Sequence, residues 1–162
     1  GLGDVYKRQY KAYADKFLNA GFIAFMIGHL FYIGAVFASC GKWTALSVLL
    51  PVTASVIVSL GNIIISEKLM KLKFGKFRAI VGVYTFLLFM TFAVSFSAMI
   101  LNSFAKQWIL MSAGGLLFAF SDAVLSTMYF KEGGNTEANI IINHVSYYAA
   151  QFIIASSVLF IK

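Results

Sequence analysis

The side chains able to do acid–base or binding chemistry are few, and they lie inside long apolar runs. Asp122, preceded by Ser121, is the one acidic residue within any such run. His29 is followed by Tyr32, three positions on and on the same helical face, and Asn62 stands near the end of a second run. His144, Tyr147, Tyr148 and Gln151 fall at offsets of three, four and seven, which places all four along one stripe of a helix. A carboxylate, imidazole or carboxamide at membrane depth is costly, so such groups face inward and mark a candidate site. Counted by depth, His29, Asp122 and Gln151 are expected near the bilayer middle, around one cavity. Two readings stand beside a site of chemistry. Asp122 acts as hydrogen-bonding glue between helices, or it titrates as a proton or cation site in a small-solute transporter or ligand-binding module. His29, His144 and Asp122 lie on separate runs with no close-spaced pair, so neither a metal centre nor a cofactor is expected.

These residues need helices to carry them. Of 162 residues 60% are hydrophobic and only 12% charged, against roughly 25% charged in a soluble domain. That excludes disorder and an ordinary water-soluble globule. The net charge of +7 forms no separate basic domain, so nucleic acid is not an expected partner, whereas a lipid bilayer is. A single cysteine, Cys40, excludes an internal disulfide. A spanning helix takes about 20 apolar residues, and five such runs predict an all-α transmembrane bundle in one domain. They cover 17–39, 44–65, 80–101, 109–130 and 140–161. Pro51 interrupts the second and is expected to kink it, its freed carbonyl answered by a neighbouring helix. Gly21, Gly28, Gly114 and Gly115 are expected to permit close helix contact.

Of the 13 lysines and arginines, all but Lys42, Lys106 and Lys162 fall on the side holding the N-terminus and the 66–79 and 131–139 connectors. Positive residues stay cytoplasmic, so that side is inside. Trp43 and Trp108 then share the outer interface, where indole rings favour the headgroup layer. The basic stretch from Lys68 to Arg78 reads first as a topology determinant; the alternative reading is attraction of lipid phosphate, at about 1 kcal/mol per basic residue near an anionic surface.

The chain has no phosphate-binding glycine loop, no His-Glu-x-x-His and no Gly-x-Ser-x-Gly elbow. Three segments are distinctive: Gly28-His29-Leu30-Phe31-Tyr32-Ile33, the stretch from Gly114 through Ser121-Asp122 to Leu125, and Tyr147-Tyr148-Ala149-Ala150-Gln151-Phe152. In order and separation they resemble the YhhN, or lysoplasmalogenase-like, family of integral membrane proteins, from about Phe17 to the C-terminus. Where that family's Ser-Asp helix ends in Asn-basic-Phe, this chain has Met128-Tyr129-Phe130.

The resemblance implies a hydrolase that cleaves the vinyl ether bond of lysoplasmalogens to a fatty aldehyde and a glycerophospho-headgroup product, in a bacterial inner membrane. Such cleavage protonates the outer alkene carbon and leaves an oxocarbenium ion to which water adds. By the resemblance Asp122 is the acid–base residue. His29, Tyr32, Asn62, Ser121, His144, Tyr147, Tyr148 and Gln151 line the pocket, and Met26, Phe31 and Phe118 accept the alkenyl chain. Paired carboxylates divide comparable roles in glycosidases, and the family's second aspartate comes from a Gly-Asp motif, for which Gly3-Asp4 is the candidate here. Residues 1–9 nevertheless read as translated adapter sequence, and the family's expected eight spans exceed the five found. The expectation is a truncated chain that is itself inactive.

Overall fold

The computed structural model describes the backbone of residues 2–161 and side chains from Tyr13 to Ile161. It is all-α, with five helices and no strand among the described residues. They are α1 (Leu2–Ser39), α2 (Ala45–Lys68), α3 (Arg78–Leu101), α4 (Lys106–Phe130) and α5 (Glu137–Ser157), with single 3₁₀ turns at Gly75–Phe77 and Val158–Phe160. Helix starts follow local chemistry. Thr44 caps α2 in a reciprocal capping box with Ser47, and Thr136 accepts the Asn139 amide at the head of α5.

Four stretches are long and apolar enough to cross a membrane: Tyr13–Ser39, Ala45–Lys68, Gly75–Leu101 and Lys106–Phe130. The protein is therefore an integral membrane protein with four candidate spans, where the apolar runs predict five. The fifth helix forms, and its 21 residues reach about 30 Å at about 1.5 Å each. It is less apolar because Asn139, Asn143, His144 and Gln151 interrupt its isoleucines.

The centre of the bundle is α3. Helices α1, α2 and α4 all pack on it, and α5 packs on α4. Gly114 and Gly115 explain the tight fit of α4. A Cβ at Gly114 would stand 2.6 Å from Ile154 Cγ1 and 3.1 Å from the Ala150 carbonyl oxygen, and one at Gly115 would stand 3.3 Å from Phe92 Cα. Gly21 and Gly28 do not share that role. No atom approaches either position within 4 Å, because their faces of α1 are not pressed against a neighbouring backbone.

Pro51 leaves the Ser47 carbonyl without its helical donor. Ser97 of α3 supplies one, its hydroxyl donating to Ser47 O at 2.9 Å, while α2 runs on as one helix. Apolar packing forms two clusters. The outer one gathers Val36, Cys40, Val94, Ala98, Trp108, Met111 and Ile154, and the inner one Ile63, Leu72, Phe74, Phe77, Val81 and Phe130. Trp108 is thus a core residue and not an interfacial ring, since it is 4% exposed. Trp43 stays half-buried, its indole donating to Phe37 O at 3.0 Å. At the basic end Lys76 pairs with Asp15, Arg78 with Glu67 at 3.0 Å and Lys73 with Glu132 at 3.6 Å. Exposed pairs of this kind contribute about 0–1 kcal/mol each.

Candidate functional site

Helix α4 delivers Asp122 to a position facing α3, where the carboxyl is almost fully enclosed, at 7% exposure. Tyr84, buried on α3, donates its hydroxyl to Asp122 Oδ2. No lysine or arginine among the described residues pairs with Asp122, and its Oδ1 makes no hydrogen bond to them. One oxygen is held and the other is free.

Tyr84 and Asp122 together form a partition between two cavities. The larger, about 360 Å³, lies between α1, α3 and α4 and is lined by Leu18, Phe22, Phe25, Leu125 and Phe130, with Phe17 and Tyr129 largely exposed at its rim. The smaller, about 150 Å³, lies between α2, α3 and α4 and contains Asn62, Ser66, Thr85 and Ser126 among its lining residues. Phe22 of α1 and Ser126 of α4 border both. The apolar wall is therefore built from residues other than Met26, Phe31 and Phe118. Phe31 points away from the bundle at 74% exposure, Phe118 packs within the core against the His29 ring, and Met26 packs on the outer cluster.

The remaining polar residues form a column along the bundle and do not meet at one depth. His29, 1% exposed, stacks edge-on to Tyr84 and places Nδ1 3.0 Å from Thr91 Oγ1. The Thr91 hydroxyl donates its one proton to Leu87 O at 3.1 Å, so His29 Nδ1 is the donor to Thr91. His29 Nε2 is buried without a partner among the described residues. Farther out, Tyr32 donates to Gln151 Oε1 at 3.0 Å and ties α1 to α5. That pair lines a third cavity of about 210 Å³, next to Trp108 and Met111. Three pairs make up the column: Tyr84 with Asp122 between α3 and α4, His29 with Thr91 between α1 and α3, and Tyr32, three residues farther along α1, with Gln151 of α5.

Asn62 donates to Thr85 Oγ1 at 3.2 Å and faces the smaller cavity with Asp122. Ser121 is wholly buried but turned to α5, where Asn143 donates to its carbonyl at 2.9 Å and to its hydroxyl at 3.2 Å. Tyr147 packs edge-on to Phe118 and Phe25. His144 and Tyr148 lie on the outward face of α5, His144 Nδ1 bonding to Ile140 O at 2.7 Å and Tyr148 being 65% exposed. Neither reaches the Asp122 cavities. The Asp4 side chain lies outside the described residues.

The sequence reading passed over Tyr84, Thr91, Thr85 and Asn143. The signal for Tyr84 was present: a phenol deep in an apolar run must find an acceptor, and Asp122 is the strongest acceptor within the spans. A lone carboxyl with one anchored oxygen can pass a single proton to or from a molecule in either cavity. Among the described residues no group of three metal-ligating side chains gathers anywhere. A sequence model of the YhhN family matches residues 2–158. Comparison with curated proteins and with solved structures finds no match.

Proposed function

The chain belongs to the YhhN family, and on that premise we propose that it hydrolyses the vinyl ether bond of lysoplasmalogens in a bacterial inner membrane. The family includes lysoplasmalogenase-like proteins. The observation that carries the reading is Asp122, a buried carboxyl with a free oxygen at the wall of an apolar cavity of about 360 Å³. That volume lies in the range of small-molecule sites, roughly 300–1,000 Å³.

The single chain of a lysoplasmalogen lies in the larger cavity against Phe17, Phe22 and Phe25, with its alkene at Asp122. Protonated Oδ1 delivers its proton to the outer alkene carbon, and the positive charge develops on the carbon bonded to the ether oxygen. The Asp122 carboxylate then faces that charge, its Oδ2 still held by Tyr84. Water adds to the cationic carbon, and the hemiacetal collapses to a fatty aldehyde and a glycerophospho alcohol. Asp122 serves first as acid and then as base, which suits a site with one carboxyl among its described residues.

The test is aldehyde release from lysoplasmenylethanolamine by the protein expressed from its complete reading frame and reconstituted in liposomes. Release by the parent and its loss in Asp122→Asn is the expected result. An intact, folded preparation that releases no aldehyde overturns the reading. Proton or cation uptake that depends on Asp122, in the absence of aldehyde, would favour a transport site instead.

A further inference from the structure

Hydrolysis needs two reactants at Asp122, and the two cavities that meet there differ in chemistry. The larger is walled by aromatic and aliphatic side chains of α1 and α4. The smaller presents Asn62, Ser66, Thr85 and Ser126 and extends to Met70 and Leu72, in the connector at the basic end. Its hydrogen bonds are incompletely used. Ser66 donates to Asn62 Oδ1 at 3.3 Å, and Asn62 donates to Thr85 Oγ1 at 3.2 Å. The Thr85 hydroxyl proton has no acceptor among the described residues, and Ser126 makes no side-chain hydrogen bond to them. With the free Oδ1 of Asp122, these groups offer donors and an acceptor around one space. A water needs roughly 10–15 Å³ of such space and two to four polar partners, so about 150 Å³ admits several.

We propose that the smaller cavity, between α2, α3 and α4, is a hydrated compartment that brings the reacting water to Asp122, with Asn62, Thr85 and Ser126 as positioning residues. The inference rests on the vinyl ether reading for the reaction the water enters. The lipid chain approaches the Tyr84–Asp122 partition from the α1 side and water approaches it from the α2 side. When the oxocarbenium ion has formed, the water oxygen bonds to its carbon. One water proton passes to Asp122 Oδ1 and replaces the proton spent on the alkene, so the carboxyl ends as it began. Keeping bulk water out of the chain cavity leaves one small, aligned supply at the reacting carbon.

The experiment has two arms. In the first, Asn62→Cys and Ser126→Cys are made with Cys40→Ser and treated from the basic side with a charged, membrane-impermeant thiosulfonate. Leu116→Cys, on the outward face of α4 at 54% exposure, is the comparison. Labelling at Asn62→Cys, which lines the smaller cavity alone, about ten-fold faster than at Leu116→Cys is expected, with Ser126→Cys, on the border of both cavities, reacting at least as fast as the comparison, since such reagents need a hydrated thiolate. A rate at Asn62→Cys no faster than that comparison overturns the proposal, whatever reaction the protein performs. In the second arm Thr85→Val and Ser126→Ala are assayed for aldehyde release. A kcat about ten-fold lower with KM unchanged is expected, the pattern for an interaction used after substrate binds. Unchanged kcat in both variants overturns the positioning role. Absence of aldehyde from the parent overturns the reaction, while the labelling arm still decides the hydration.

Discussion

Asp122 and Tyr84 act as a unit. Asn at position 122 keeps an oxygen to accept the Tyr84 hydroxyl, so Asp122→Asn preserves packing while removing the acid. Aldehyde release is expected to fall by about 10²–10⁴-fold, the usual range for a general acid–base group, with the helical circular-dichroism signal unchanged. Tyr84→Phe keeps the ring between the cavities and frees Oδ2. Its kcat is expected to drop about ten-fold while lipid binding persists, as follows when a group orienting the acid is lost. Equal kinetics for Tyr84→Phe and the parent would assign the hydroxyl to packing alone. Asp122 was legible in the sequence because it is the sole carboxylate in an apolar run. Tyr84 was not, because a tyrosine in a span is ordinary until its acceptor is known, and that acceptor lies 38 positions away on another helix. His144 and Tyr148 share a stripe with Gln151, yet a stripe does not say which neighbour it faces.

At the scale of helices, two contacts predict measurable stability changes. Ser97→Ala removes the donor that answers the Ser47 carbonyl beneath Pro51, at a cost of about 1–3 kcal/mol for a polar group left unsatisfied away from water. Gly114→Ala presses a methyl on the α5 backbone at Ala150 and Ile154, and overpacking of this kind costs about 1–3 kcal/mol. Both are read as a lowered melting temperature in detergent. Gly21→Ala, whose Cβ meets no atom within 4 Å, is expected to melt with the parent. The five helices could be seen in advance because apolar runs of the right length announce themselves, and Pro51 announced its own missing donor. The polar load of α5 was also visible, though run length alone hid how far it lowers that helix's apolar content.

For the molecule as a whole, the distribution of lysine and arginine predicts the basic end as cytoplasmic. Thiol labelling of Glu132→Cys from that side only, and of Lys42→Cys from the opposite side only, is the expected pattern; the reverse pattern would invert the topology. Which helices are neighbours was not legible, since spans of similar hydropathy are interchangeable in sequence. The arrangement depends on shape, with α3 meeting three partners and glycines letting α4 approach α3 and α5. The rim of the larger cavity has a kinetic consequence. Phe17 of α1 and Tyr129 of α4 stand exposed at its mouth, toward the basic end of the bundle, and under the proposed function that mouth takes its substrate from the bilayer. A lipid entering there is counted per unit area of membrane. Adding more vesicles of fixed composition should leave the rate per protein unchanged once all protein is inserted, while blending the substrate with inert phospholipid should slow it. Saturation would then be expressed as a mole fraction in the bilayer and not as a molarity.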